Sequence, residues 1–374
     1  MMMARKLRKV RPTSPPDYLF IGALILLVLF GFVMLASASS DIAKFRFDDS
    51  YHYLKQQAVN GIGFGLAGLF LGAFLFYRRW ERVALPLLGL TIILLILVFT
   101  PLGFSTKGSA RWVDFGFIAF QPGELLKITF LVYLAAWISK NTKRGSSLSE
   151  GFLPLLVLMG GVGFLLLMQP STTTAVVILI SSIVVYFMAG ARFRFLALLG
   201  FIGVMGLSFV IYSTPYRLQR VLTFLQPETV DVLEEGYHID QALTAIGSGG
   251  LFGVGYGKST TKLHYLPEPI GDSIFAVIAE ELGFVGASVM LFLFFVLVLR
   301  GFMIARRVSD VFGRLLVLGF SSLIAIQVFI NVGAVSGVLP LTGVPLPFVS
   351  FGGTALAVFL TMGGIIINVS RYRR

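Results

Sequence analysis

Asp272 closes the run Leu266-Pro267-Glu268-Pro269-Ile270-Gly271-Asp272 and stands directly before the apolar segment Ser273-Ile274-Phe275-Ala276. A carboxylate placed where a chain passes from water into an apolar phase is partly desolvated, which raises its pKa and makes it a better base. The same position suits a helix N-cap, whose oxygen accepts from first-turn N–H groups and whose pKa falls. The two alternatives predict opposite titration. Glu280 and Glu281 follow within the same apolar segment, about 12–14 Å further along a helix that rises ~1.5 Å per residue. Adjacent acids inside such a segment need partners or a hydrated cavity. They point about 100° apart, so a structural ion pair and a separate second partner are both open.

Further up the chain, Gln121-Pro122-Gly123-Glu124-Leu125-Leu126-Lys127 places Glu124 and Lys127 at i,i+3, the spacing at which helix side chains meet. Either they pair with each other, or Lys127 joins Arg111 in balancing an anionic ligand in a polar cavity. Gln169-Pro170, Gln327 and Asn331 are further polar candidates, and Asn331 precedes a return rich in glycine and proline that runs through Ser350 to Gly353. A glycine cluster, Gly247, Gly249, Gly250, Gly253, Gly255 and Gly257, leads into Lys258 and Ser259. It is not a P-loop, because the position where that motif needs its first glycine is Phe252. It fits either close backbone packing or a nest of N–H groups which, with Lys258 and Lys262, receives a phosphate. His52, His238 and His264 show no metal-ligand spacing.

These groups must be positioned by a chain built for a membrane. Of its 374 residues 56% are hydrophobic and 13% charged, against ~45–50% and ~25% for soluble domains. There is no cysteine, so disulfides and thiolate chemistry are excluded. Apolar runs near 18–38, 59–77, 83–101, 124–139, 152–169, 172–190, 195–213, 273–299, 313–332 and 352–369 predict an all-α polytopic membrane protein of ten transmembrane helices. The first run exceeds a signal-peptide core of ~7–15 residues and is read as a retained span despite Ala36-Ser37-Ala38.

Alternate loops and the two ends hold 20 of the 30 basic residues. The positive-inside rule therefore places both termini in the cytoplasm. The net charge of +12 is thereby topological, and no nucleic-acid partner is expected. The predicted layout is a cytoplasmic tail 1–17, one transmembrane domain 18–370 and a tail 371–374. The long loops 39–58, 102–123 and 214–272 lie outside, the last of them between spans seven and eight, so the work is expected at the outer face.

In order along the chain stand Arg111-Trp112, Gln121-Pro122-Gly123-Glu124 with Lys127, and Gln169-Pro170. Then come Gly236-Tyr237 with Gln241, Ile246 to Gly253, Leu266-Pro267-Glu268 with Asp272, and Glu280-Glu281-Leu282-Gly283. Leu339-Pro340, Gly343, Leu346-Pro347 and Ser350-Phe351-Gly352-Gly353 complete the series. Together these blocks resemble the SEDS family, the shape, elongation, division and sporulation proteins RodA, FtsW and SpoVE. The resemblance implies a peptidoglycan glycosyltransferase that polymerises lipid II outside the bacterial cytoplasmic membrane, working with a class B penicillin-binding protein. It also implies support from a divalent cation, Mg or Mn, with ligands unassigned.

The family's essential aspartate maps onto Asp272, the expected general base. Arg111, Glu124, Lys127, Lys258, Glu268, Glu280, Glu281 and Ser350 are the expected substrate-binding residues. Four positions depart from the family pattern. Gly271-Asp272-Ser273 replaces the usual Thr-Asp-Phe, Ser171 replaces the acid after Gln-Pro, and His238 replaces the glutamine after Gly-Tyr. The rival readings are a lipid II transporter and a non-catalytic scaffold for the penicillin-binding protein. Elongation and division roles are not separated.

Overall fold

The computed structural model describes residues 12–106, 109–114, 116, 119–225, 235–263 and 265–373. Residues 1–11 of the expected tail, His264 and Arg374 lie outside the described residues. The chain begins with α1 (Tyr18–Phe47) and α2 (His52–Gln56), then a π-helical stretch Gln57–Gly63 that runs into α3 (Phe64–Phe74) and α4 (Arg78–Leu97). Strands β1 (Gly103–Thr106), β2 (Ser109–Asp114) and β3 (Ala119–Phe120) follow, then α5 (Pro122–Ser139), α6 (Leu153–Met168), α7 (Thr172–Met188) and α8 (Phe193–Tyr212). The segment after α8 carries α9 (Pro215–Leu225) and α10 (Glu235–Ser248), and the chain ends with α11 (Ile274–Arg307), α12 (Val311–Val335) and α13 (Gly353–Ser370).

Among the described residues nine helices are long and apolar enough to cross a membrane, and α7 is a shorter apolar helix. The predicted runs thus coincide with helices. Their burial sorts them into layers. In α5 and α12, 78% of the apolar window is buried, against 11% in α8, so α5 and α12 form the centre and α8 turns its aromatics outward. Phe201, Phe209 and Tyr212 are all exposed on α8, as suits a helix bounded by lipid.

The described chain ends meet at one end of the bundle. Thr13 N–H donates to the Arg371 carbonyl at 2.9 Å. Asp17, 1% exposed, accepts from Arg300 and Arg373, and Arg78 pairs with Asp310 at 2.8 Å. Burial raises the Asp17 pKa, but the two guanidinium groups and the Phe20 N–H outweigh it and hold the carboxyl below its ordinary value.

Three boundaries differ from the sequence expectation. Helix α1 continues to Phe47, so much of the expected loop 39–58 is helical. Its last turns are polar but contain no glycine or proline, and the helix stops only at Asp48, in the left-handed region at φ 54°. The loop 102–123 folds into an antiparallel sheet in the order β1-β2-β3, with Gly103 opposite Val113 and Val113 opposite Phe120. Loop 214–272 carries two helices among its described residues, α9 and α10.

Candidate functional site

Helix α11 is broken inside its N-terminal third. Gly283 sits at φ 66°, ψ −167°, which interrupts the helical ladder and releases backbone groups that need partners in an apolar setting. The glycine cluster supplies them from both sides. Val254 and Gly255 N–H donate to the carbonyls of Glu280 and Glu281 at 2.9 and 3.1 Å, while Phe284 and Val285 N–H donate to Gly250 and Leu251 carbonyls at 2.9 and 3.1 Å. A Cβ on Gly283 would meet Gly253 N at 2.3 Å, and one on Gly253, itself at φ 80°, would meet the Glu281 carbonyl at 2.1 Å. The cluster's role is therefore close backbone packing. The phosphate nest expected from its spacing is not formed by the Val254 and Gly255 amides, because α11 takes them.

The two glutamates above the break are also fully engaged. Glu280 accepts from Thr260 N–H at 3.0 Å and from the hydroxyls of Ser259 and Thr261. Glu281, 0% exposed, pairs with Lys262 at 2.8 Å and accepts from Ser37 Oγ at 2.7 Å. Of the two expected roles the structural one applies, with each acid facing its own partner. Lys262 is buried in that pair; Lys258 is exposed. Ser37 went unnoticed as a partner because its neighbours are small and apolar.

Asp272 is half-buried just before the N-terminus of α11. The N-cap position falls one residue later than expected, on Ser273. The turn that carries Asp272 is held by its backbone. The Ile270 carbonyl accepts from Phe351 N–H at 2.8 Å, the Gly271 carbonyl from Ser350 Oγ at 2.6 Å, and the Asp272 carbonyl from Asn331 Nδ2 at 2.8 Å. Ser350 Oγ in turn accepts from Leu346 N–H, and Asn331 Nδ2 reaches the Val344 carbonyl, both at 2.8 Å. The glycine-proline return therefore grips the Asp272 turn, and Asp272 Oδ2 would lie 3.7 Å from a Cβ on Gly343. Exposed Glu268 belongs to the same turn, at φ 50°. A left-handed non-glycine residue of this kind costs on the order of 1–3 kcal/mol and recurs at functional sites.

Lys127 and Glu124 lie beneath this return and meet as an ion pair at 2.6 Å, with side chains 1% and 4% exposed. Lys127 also donates to Gln327 Oε1 at 2.9 Å, and Gln327 Nε2 donates to the Pro345 carbonyl at 2.8 Å. Of the two expectations for Lys127, pairing with Glu124 is the one observed. Arg111 on β2 goes elsewhere: Nε donates to the Gln169 carbonyl at 3.3 Å and Nη2 to that of Pro170. Burial pushes the Arg111 pKa down, and Arg220 and Arg217 of α9 push it the same way against Tyr216. A guanidinium keeps its charge under such shifts, so the edge where β2 meets α9 is cationic.

No cage of three or more His, Asp or Glu converges among the described residues. A cavity of about 460 Å³ lies elsewhere, between α5 and α6, lined by Tyr133, Trp137, Leu153 and Val157. Its lining holds no carboxylate or cation, so it offers no acid–base chemistry.

The FtsW, RodA and SpoVE family, described as cell cycle protein, matches residues 17–374. The chain is similar to stage V sporulation protein E of Bacillus subtilis, 39% identical over 362 residues, 96% of this chain and 98% of that one. It is similar to the probable peptidoglycan glycosyltransferase FtsW of Geobacter sulfurreducens, 38% identical over 95% of each chain. Among solved structures it resembles a chain of a peptidoglycan synthase complex that coordinates polymerization and crosslinking, with TM-score 0.80, 32% identity and 96% and 99% of the two chains covered. It also resembles the rod shape determining protein RodA of Thermus thermophilus, with TM-score 0.71, 30% identity and 96% and 97% covered.

Proposed function

Because the chain belongs to the FtsW, RodA and SpoVE family of cell cycle proteins, we propose that it is a peptidoglycan glycosyltransferase polymerising lipid II, with Asp272 as general base. The observation that carries this reading is the grip on residues 270–272, where three consecutive carbonyls each accept a hydrogen bond from α12 or from the return before α13. A base held within a fraction of an ångström gains most of its advantage from positioning. The protein sits in the bacterial cytoplasmic membrane with the Asp272 end outward and the arginine-rich end of the bundle in the cytoplasm.

In the reaction the Asp272 carboxylate takes the proton of the sugar 4-hydroxyl on one lipid II. That oxygen bonds to the anomeric carbon of the second molecule as the carbon–oxygen bond to the diphosphate breaks. The electron pair leaves on undecaprenyl diphosphate. A diphosphate leaving group needs electrostatic support rather than a protonating acid, so one carboxylate suffices. Arg111 and exposed Lys258 are the cations we assign to that support. A divalent cation, when bound, supplies further neutralisation of the diphosphate. Glu268 would hold it, since Mg commonly uses one or two carboxylates and shares the substrate's phosphates. Glu124, Lys127, Glu280 and Glu281 act by holding the elements around the site, and Ser350 by fixing the Gly271 carbonyl. The class B penicillin-binding protein that crosslinks the product is the expected partner.

Purified protein in liposomes, given labelled lipid II with and without the penicillin-binding protein and a chelator, tests this directly. Long glycan strands are the expected product. Transfer of labelled lipid II across the bilayer without polymer would establish the transporter reading instead.

A further inference from the structure

The residue after Asp272 makes an unusual choice of partner. Ser273 holds the N-cap position of α11, where a serine hydroxyl ordinarily accepts from first-turn amides, yet it makes no cap hydrogen bond. It is fully buried, and its Oγ lies 2.7 Å from His238 Nε2 on α10. His238 starts a face that continues through Ala242, Ala245 and Gly249, the helical i, i+4, i+7, i+11 series. Ala242 and Ala245 are 0% exposed, and Gly249 lies against the Ala279 carbonyl of α11. Helix α10 is thus seated on α11 through small residues, and the imidazole near its N-terminal end reaches the side-chain hydroxyl of the residue that follows Asp272. His238 and Ser273 are also two of the four positions where this chain departs from the pattern it otherwise resembles, and they touch.

We propose that His238 is a positioning residue for the reaction: through Ser273 it fixes the direction in which the Asp272 carboxylate is presented. This rests on the reading of Asp272 as the base. The hydroxyl forgoes the helix cap, and what is gained is a clamp on the second side of Asp272. Asn331 and Ser350 hold the turn from α12 and the return, and His238 holds it from the outer helix. A glutamine at 238 retains a side-chain donor and acceptor at comparable reach, whereas an alanine leaves Ser273 Oγ buried without this partner.

The test uses the full-length protein with its penicillin-binding partner and fluorescent lipid II, comparing His238→Ala, His238→Gln, Ser273→Ala, the double alanine variant and Asp272→Asn. Thermal melting of each variant is recorded alongside. Loss of one positioning hydrogen bond predicts a kcat lower by about tenfold in His238→Ala and in Ser273→Ala, with KM for lipid II within about threefold. The double variant is expected to be no slower than either single one, as coupled groups are non-additive. His238→Gln is expected to recover kcat to within about threefold of the parent. A kcat unchanged in folded His238→Ala, an effect confined to KM, additive losses in the double variant, or no recovery with glutamine each overturns the inference. Near-normal turnover by Asp272→Asn overturns the underlying reading separately, whatever the His238 variants do.

Discussion

Two groups of carboxylates share one end of α11 and are treated in opposite ways. Glu280 and Glu281 receive their hydrogen bonds on the side chain, from Ser259, Thr260, Thr261, Ser37 and Lys262. The turn of Asp272 is held through its backbone, by Asn331 on the Asp272 carbonyl and by Ser350 and Phe351 on the neighbouring carbonyls. The first arrangement spends the charge on holding a broken helix together in an apolar medium, where an unpartnered ion is expensive. The second fixes where an acid stands by holding the turn that carries it, with three consecutive carbonyls tied to α12 and to the return before α13.

The largest test of this contrast is Glu281→Gln. It leaves Lys262 buried opposite a neutral group, and breaking a buried pair costs about 3–5 kcal/mol. A sharp fall in melting temperature and in the yield of monodisperse protein is expected, and replacing Lys262 by methionine as well should recover part of it. Next comes Gly283→Ala. Its φ of 66° and the 2.3 Å approach to Gly253 N predict a loss of about 2 kcal/mol or more, seen as a lower melting temperature with the glycine loop released to proteolysis.

The smallest effect is expected at Asp17, far from both carboxylate groups. Its carboxyl is held below the ordinary 3.8, so its contribution is complete above that pH and disappears as pH falls through the lower folded value. Asp17→Asn should cost about 1–3 kcal/mol at pH 7 and remove its share of the loss in melting temperature as pH falls below the ordinary 3.8.

The ten apolar runs were legible in the sequence because length alone identifies helices surrounded by lipid. The pairing of Glu124 with Lys127 was legible because i,i+3 spacing is local. What escaped was long-range. Nothing near Glu281 in the chain points to Ser37, and the glycine cluster offered a phosphate nest and a packing surface equally well until Gly283 was seen to break the opposite helix. Asn331 stood out as a polar residue in an apolar span, but its target is a backbone carbonyl, which carries no sequence signature. The small sheet in 102–123 was missed because strands of two to six residues lie below what periodicity resolves. The Asp272 turn itself was found as a place where chain and bilayer meet, and its cap position was misplaced by one residue, within the usual uncertainty of helix boundaries.

The central claim is that Asp272 is held by its backbone so that its carboxylate can accept a proton. The most direct measurement is polymerisation of lipid II by purified Asp272→Asn beside the parent protein, with both melted under the same conditions. The expected result is a fall in turnover of about a thousandfold or more with the melting temperature unchanged within about two degrees. Glycan strands formed at near-parental rate, or a collapse of the melting transition comparable to that of Glu281→Gln, would contradict it.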